Sequence, residues 1–292
     1  MTEKFFAAQR STVRSRSMAK RSHPVEVVRV TAGLAAPLAR DVVAVEEPLE
    51  IRVAGETFAV TMRTPGDDRE LAIGLLFSEG LIASVDDLSA IAHCARADDL
   101  AQGNVLEVTP APGVFIDLDA RAPSRRGTLT TSACGVCGRR TVDDLLATRA
   151  PLPLGAGVDA RVISQCVRSL RERQRLFDET GGCHGAALFT FEGAHVATFE
   201  DIGRHNAVDK TVGAMVRAKR VPLAEHMLVV SGRAGFEVVQ KAHAGGVPVV
   251  VSVSAPSSLA VAMADRANIT LAGFARGESL TLYTSPERVR VG

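Results

Sequence analysis

Between residues 186 and 283 the chain alternates near-continuous apolar runs with amphipathic stretches, and this alternation constrains the fold more than any other feature. The apolar runs lie at 186–191, 196–199, 227–230, 247–253, 270–274 and 280–283. Helical periodicity marks 163–178, 205–219, 236–244 and 257–267, and Val208, Val212, Met215 and Val216 fall on one stripe of the second. Strands that are apolar on both faces need cover on both faces, so the pattern predicts an α/β sheet with helices on each side. The first half reads differently. Short β-rich segments at 25–30, 42–45, 49–53 and 57–62, the last two joined by Ala54-Gly55-Glu56, predict strands and a hairpin. Thr64-Pro65-Gly66-Asp67-Asp68 opens a helix with Leu71, Leu75 and Leu76 on one face and Gly80 at its end. Beyond Asp86 the signal weakens, with strands expected at 105–108 and 114–118.

These signals divide the chain into a basic tail (1–22), a β-rich α+β domain (23–124), a cysteine loop with helix and linker (125–157) and an α/β domain (158–292). The tail carries Lys4, Arg10, Arg14, Arg16, Lys20 and Arg21 against Glu3 and has no apolar core of a secretion signal, so it is expected to be disordered. A net charge of +1 argues against a general polyanion binder. The absence of Trp, with one Tyr, removes the stacking platforms of single-strand binding, so no nucleic-acid partner is expected. No window has the ~18 apolar residues of a membrane span. Five cysteines, three of them scattered at 94, 166 and 183, do not form a secreted disulfide framework and point to a reducing cytoplasm.

Cys134 and Cys137 are the closely spaced pair, in Thr-Thr-Ser-Ala-Cys-Gly-Val-Cys-Gly-Arg-Arg (130–140), with Arg125 and Arg126 upstream. Cations beside a Cys-x-x-Cys lower a thiol from ~8.5 into the range of roughly 3.5–7.5. Four uses compete: a zinc knuckle, for which Cys183 and His184 are the neighbouring donors; a thioredoxin-like dithiol; two structural cysteines; and a loop that presents sulfur to a partner and then to a ligand. The arginine-rich setting favours the last.

Several turns offer ligand contacts. Ser231-Gly232-Arg233-Ala234-Gly235 joins a strand to a helix, where backbone N–H groups and the Arg233 guanidinium suit a phosphate; the alternative is a plain connection. In Glu200-Asp201-Ile202-Gly203-Arg204-His205-Asn206-Ala207-Val208-Asp209-Lys210, Asp201 can accept from a guanine edge and His205 can touch a phosphate; the alternative is a helix start with surface pairs such as Arg204 with Asp209. Between the last two strands, Phe274, Ala275, Arg276, Gly277, Glu278 and Ser279 read as a nucleotide grip or as a simple hairpin turn. Thr180-Gly181-Gly182-Cys183-His184 is a further glycine-rich turn.

Taken together, Ser-Ala-Cys-Gly-Val-Cys-Gly (132–138), Thr-Gly-Gly-x-His (180–184), the eleven-residue run at 200–210, Ser231-Gly232-Arg233 with Phe236-Glu237 and Val239-Gln240-Lys241, Ser254-Ala255-Pro256, and Thr64-Pro65-Gly66-Asp67-Asp68 resemble the formate dehydrogenase accessory sulfurtransferase family (FdhD). The resemblance implies a C-terminal three-layer α/β fold similar to cytidine deaminases and a homodimer. It implies a carrier that takes sulfur from a cysteine desulfurase as a persulfide on Cys134, with Cys137 assisting. The sulfur passes to the molybdenum bis(molybdopterin guanine dinucleotide) cofactor, as cargo, before its insertion into formate dehydrogenase. It further implies cofactor contacts at residues 274 to 279. Deaminase chemistry is not implied, since neither His-x-Glu nor Pro-Cys-x-x-Cys occurs. A cofactor chaperone whose thiols carry no sulfur is the alternative.

Overall fold

The computed structural model describes residues 20–94, 103–118 and 149–291. It begins with an antiparallel hairpin of β1 (Ser22–Thr31) and β2 (Leu34–Ala44), longer at both strands than the apolar residues alone predict. Its turn residues Ala32 and Gly33 both have positive φ, the backbone that two-residue hairpins require. A four-stranded sheet follows in the order β4–β3–β6–β5, from β3 (Glu47–Val53), β4 (Glu56–Arg63), β5 (Leu88–His93) and β6 (Val105–Pro110), with β3 and β6 parallel. In β3, Leu49, Ile51 and Val53 are buried while Glu50 and Arg52 turn outward, so the period of two sets which face meets the core. Helix α1 (Asp68–Ser78) starts where the Pro-Gly-Asp-Asp run predicts, and Gly80, at φ +71°, stands one residue past its C-cap, Glu79.

One expectation fails in this half. Residues 114–118 are irregular, not a strand. The strand lies earlier, as β5, whose sequence Leu-Ser-Ala-Ile-Ala-His holds small and polar residues. β5 is an edge strand with no fully buried residue, so it needs no apolar alternation and shows none.

The second half contains β7 (Val158–Asp159), α2 (Ala160–Arg173), α3 (Arg175–Thr180), β8 (His184–Thr190), β9 (His195–Asp201), α4 (Arg204–Arg217), β10 (His226–Val230), α5 (Phe236–Gly245), β11 (Val249–Ser252), α6 (Ser258–Arg266), β12 (Thr270–Arg276), β13 (Ser279–Thr284) and β14 (Val289–Arg290). Six of the strands form one sheet in the order β13–β12–β11–β10–β8–β9. β10, β11 and β12 are parallel, and β8, β9 and β13 run antiparallel to their neighbours. The helix expected over 163–178 is two helices, α2 and α3, broken at the buried Gln174, whose ψ of 68° is not helical.

Both faces of the large sheet are covered, as the apolar runs predict. Ala186, Leu188, Leu228, Val230, Val250 and Leu271 share a core with α1, α4, α5 and α6, while Ala187, Phe189, Met227, Val229, Val249 and Val251 pack on α2. The first core continues without a break into Leu49, Ile51, Leu106 and Val108 of the smaller sheet. The stretch at 153–157 is pinned by Arg288, which is 1% exposed. Its guanidinium donates to the carbonyls of Pro153, Leu154 and Pro248 and to Thr270 Oγ1, so a buried cation is satisfied by carbonyl dipoles.

The tightest contact joins the halves. A Cβ on Gly74 of α1 would lie 1.9 Å from the Asp209 carbonyl oxygen, and a Cβ on Gly213 of α4 would lie 1.9 Å from that of Glu70. Only hydrogen fits at either position, so the two helix backbones touch. Gly74→Ala is therefore expected to cost roughly 3 kcal/mol or more in denaturant unfolding. Gly245→Ala, where the nearest atom to an added Cβ is at 3.6 Å, should change stability by less than about 1 kcal/mol. Equal effects at the two sites would contradict this packing.

Candidate functional site

The topology gathers the glycine-rich turns at one edge of the large sheet. β10, β11 and β12 end there and lead into Ser231-Gly232-Arg233, Ser254-Ala255-Pro256 and the 274–279 turn. β8 begins there at His184, and β9 ends there at Asp201, paired with His184. In sheets of this kind, ligands bind outside the carboxyl ends of parallel strands. A parallel bridge from Ala234 to Pro256 ties two of the turns together.

Two adjoining clefts open along this edge. The larger, about 670 Å³, is lined by Arg168, Arg171, Phe177, His184, Ser231 and Arg276, among others. The smaller, about 390 Å³, is lined by Arg204, His205, Arg233, Glu237 and Ser257, among others, and lies at the N-termini of α5 and α6. Gly232 stands between them: a Cβ there would meet His184 Nδ1 at 3.1 Å and Arg204 Cβ at 3.6 Å. A larger cavity of 750 Å³, lined by Phe77, Phe115, Arg149 and Pro222 among others, lies at the C-terminal ends of α1 and α5 and holds none of the predicted site residues.

The predicted residues separate into two groups. Arg233 and His205 line the smaller cleft, and Ala275 and Arg276 line the larger. Arg276 donates from Nε to the Val253 carbonyl at 3.0 Å, which fixes the base of its side chain. Phe274 is exposed with φ +50°, next to an irregularity in β12–β13 pairing between Gly273 and Arg276. Bulges of this kind re-aim side chains, and a bulky residue at positive φ is strained. Gly277 has φ +58°, Glu278 is exposed, and Ser279 donates from Oγ to the Arg276 carbonyl at 3.2 Å, closing the turn.

Asp201, expected to meet a guanine edge, is instead fully buried. Its Oδ2 pairs with Lys210 Nζ at 2.7 Å and accepts from the Thr64 N–H at 3.2 Å; its Oδ1 accepts from the Gly203 N–H at 2.8 Å and Asn206 Nδ2 at 3.0 Å. Lys210 also donates to the Thr64 carbonyl at 3.1 Å, and Asn206 to that of Met62 at 2.8 Å. Much of the polar density of the 200–210 run thus holds the smaller sheet against the large one. Asp209 pairs with the buried Lys241 at 2.8 Å rather than forming a surface pair with Arg204. Glu200 accepts from the N–H groups of Leu176 and Phe177, both at 2.9 Å, at the start of α3.

Cys134 and Cys137 lie outside the described residues. Of the cysteines described, Cys183 is buried and its thiol donates to Glu200 at 3.3 Å; burial, reinforced by the Glu200 charge, pushes it far above the ordinary thiol range. Burial pushes the Cys166 thiol up to about 11. Neither is a ready nucleophile at neutral pH. Cys94 is half-buried. Among the described residues no group of three His, Cys, Asp or Glu side chains is placed to hold a metal ion.

Sequence reasoning missed Arg168, Arg171 and Phe177 as cleft residues. Arg171 lies 4.9 Å over the Phe177 ring and pairs with Asp178, contacts that a solvated helix face shares, so the sequence carries no separate signal for them.

Fold and site together describe an α/β protein that offers two adjoining, arginine-lined clefts at the strand ends of its large sheet. Residues 44–290 match the model of the FdhD/NarQ family, and the chain belongs to that family. It is 52% identical over 256 residues to the sulfur carrier protein FdhD of Anaeromyxobacter dehalogenans, covering 86% of this chain and 89% of that protein. Identity to the sulfur carrier protein FdhD of Streptomyces coelicolor is 46% over 271 residues, 90% and 94% of the two chains. A crystal structure of a candidate formate dehydrogenase accessory protein from Desulfotalea psychrophila shares the fold, with a TM-score of 0.74 and 24% identity over 93% of this chain and 100% of that one. No described helix is long and apolar enough to cross a membrane.

Two outcomes are expected. Lys210→Met removes the buried cation that pairs with Asp201 and should cost about 3–5 kcal/mol in urea unfolding; a loss below 1 kcal/mol would mean that the pair does not hold the halves together. The second concerns pH. Burial lowers His184, His195, His226 and His243 below the ordinary histidine value, with Arg204 and His205 adding to the effect at His184. The unfolded chain therefore binds protons below about pH 6.5 that the folded chain does not, and each of these groups loses stability as pH falls through that value. Asp209, which burial raises to about 6, acts in the opposite sense as one group against four. The denaturation midpoint should be lower at pH 5.5 than at 7.5, and an unchanged or higher midpoint would contradict this assignment.

Proposed function

We propose that this chain carries sulfur, as its relatives' name describes for them, and that formate dehydrogenase is the enzyme it serves. In this reading the Cys134 thiolate attacks the terminal sulfur of a persulfide on a cysteine desulfurase. The donor S–S bond breaks, its electron pair leaves on the donor thiolate, and Cys134 keeps the sulfane sulfur. Cys137 then attacks the inner sulfur, so that a Cys134–Cys137 disulfide forms and the terminal sulfur departs at the sulfide level. The acceptor is the molybdenum bis(molybdopterin guanine dinucleotide) cofactor, bound as cargo before its insertion into formate dehydrogenase by a homodimeric carrier in the cytoplasm.

The observation that carries this reading is the convergence of the glycine-rich turns on the two arginine-lined clefts. A dinucleotide cargo brings several phosphates, and Arg233 and Arg276 offer matching charge, with the His205 ring and the N–H groups at the start of α5 and α6 lining the smaller cleft. The exposed ring of Phe274 offers apolar surface at the rim. Asp201 has no part in cargo binding here, because its oxygens already meet protein donors. The burial of Cys166 and Cys183 supports assigning the sulfur chemistry to the other pair.

Intact mass after incubation with a cysteine desulfurase and cysteine tests the carrier. Wild type should gain a reductant-sensitive mass of about 32 Da per added sulfur, Cys134→Ala should not, and Cys183→Ala should behave as wild type. No gain on wild type, or an equal gain on Cys134→Ala, would move the reading to a cofactor chaperone or to Cys137.

A further inference from the structure

The larger cleft is lined by a polar side chain that the described fold does not use. Gln174 stands at the break between α2 and α3, where its ψ of 68° ends one helix and precedes the next. Its backbone is engaged locally: the N–H donates to the Arg171 carbonyl at 3.3 Å, and the carbonyl accepts from the Asp178 N–H at 2.9 Å. The side chain is buried, with the residue 3% exposed, and lies so close on Gly185 of β8 that a Cβ there would stand 2.9 Å from its Cδ and 3.0 Å from its Nε2. Among the described residues, none hydrogen-bonds this amide, and the residue lines the cleft. A buried amide without a partner is destabilising, and a ligand that matches it removes that penalty.

The surroundings say what would match. Val167, Leu170, Phe177, Val253 and Ala275 give the cleft apolar walls, and the Arg171 guanidinium lies 4.9 Å over the Phe177 ring. Walls of this kind with a polar group among them suit a flat heterocycle better than a phosphate, and about 670 Å³ is ample for one. The smaller cleft has the opposite character, with Arg204, Arg233 and the N-termini of α5 and α6. Gly232, between the two, has no side chain to obstruct a ligand that spans both.

We propose that the larger cleft seats the base of the nucleotide and that Gln174 selects it: Nε2 donates to the 6-oxo oxygen of guanine and Oε1 accepts from its N1–H, while the phosphates lie toward Gly232 and the smaller cleft. An amide and a lactam each present a donor beside an acceptor, so two parallel hydrogen bonds form between them. The inference rests on the reading that the clefts hold a guanine nucleotide cargo, and it names the residue that distinguishes the base. Adenine also pairs with an amide that turns over, so an adenine nucleotide is a poor probe of this contact.

The test is titration calorimetry on the full chain with guanosine diphosphate, and then with inosine diphosphate beside purine riboside diphosphate, a pair that differs only in the lactam. Wild type should bind guanosine diphosphate and prefer inosine diphosphate to purine riboside diphosphate by about 10-fold or more, the effect of two neutral hydrogen bonds. Gln174→Met keeps the shape without the amide, and its preference should fall to within about 2-fold of none. Gln174→Glu sets a carboxylate oxygen against the 6-oxo group and should lose the preference as well. Arg233→Gln should weaken both nucleotides and leave their ratio unchanged, a split that general damage to the clefts would not produce; thermal melting confirms that each variant is folded. Equal binding of the pair by wild type, or a preference that persists in folded Gln174→Met, overturns the inference and leaves the cargo reading standing. No binding of guanosine diphosphate by folded wild type overturns both.

Discussion

The backbone contact between α1 and α4 is the constraint on which the rest of the structure depends. Gly74 and Gly213 let the two helices approach until carbonyl oxygens occupy the places where side chains would otherwise stand. That approach brings the smaller sheet close enough for Thr64 to give its N–H to Asp201 and its carbonyl to Lys210. It also leaves α4 almost wholly enclosed, with His205 through Gly213 all buried. A helix so enclosed cannot be amphipathic in the ordinary way. Its polar residues must find partners inside, and Asn206, Asp209, Lys210 and Thr211 each do.

The same short run therefore serves two ends. Asp201, Asn206, Asp209 and Lys210 hold the framework, while Arg204 and His205, on the turn of α4 nearest the sheet edge, face the smaller cleft. Because Asp201 caps the turn through the Gly203 N–H, the position of His205 is tied to the buried pair only a few residues away. Loss of the Asp201–Lys210 pair would disturb both stability and the cleft, whereas a change at His205 or Glu237 alters the cleft from its lining. The strand ends supply the remaining walls, and Gly232 keeps the partition between the two clefts thin enough for the histidines at 184 and 205 to influence one another.

How much of this was legible in the sequence depends on what each residue type reports. The large sheet was plain, because strands such as β10 and β11 are apolar on both faces and flanked by turn residues. The glycine-rich turns were legible as strand-to-helix and strand-to-strand connections, and topology brings them to one edge of the sheet. The edge strand β5 was not legible, since an exposed edge imposes no pattern, and 114–118 looked like a strand only because Val114, Phe115, Ile116 and Leu118 are apolar. Asp201 misled for a related reason: a cluster of polar residues at a strand-to-helix junction reads the same whether it faces a ligand or a second sheet. Only the partner from 137 residues earlier in the chain, Thr64, distinguishes the two. The Gly74–Gly213 contact was equally silent, because small residues inside a helix do not announce what packs against them.

The central claim is that ligand binding belongs to the strand-end edge of the large sheet and not to the larger cavity beside Phe77 and Phe115. Amide hydrogen exchange on the full chain, with and without guanosine diphosphate, tests it most directly. The account predicts slowed exchange confined to 181–184, 203–206, 231–237, 254–258 and 274–279. Protection centred instead on 77–83, 114–118 and 221–223, with the strand-end turns unchanged, would contradict it.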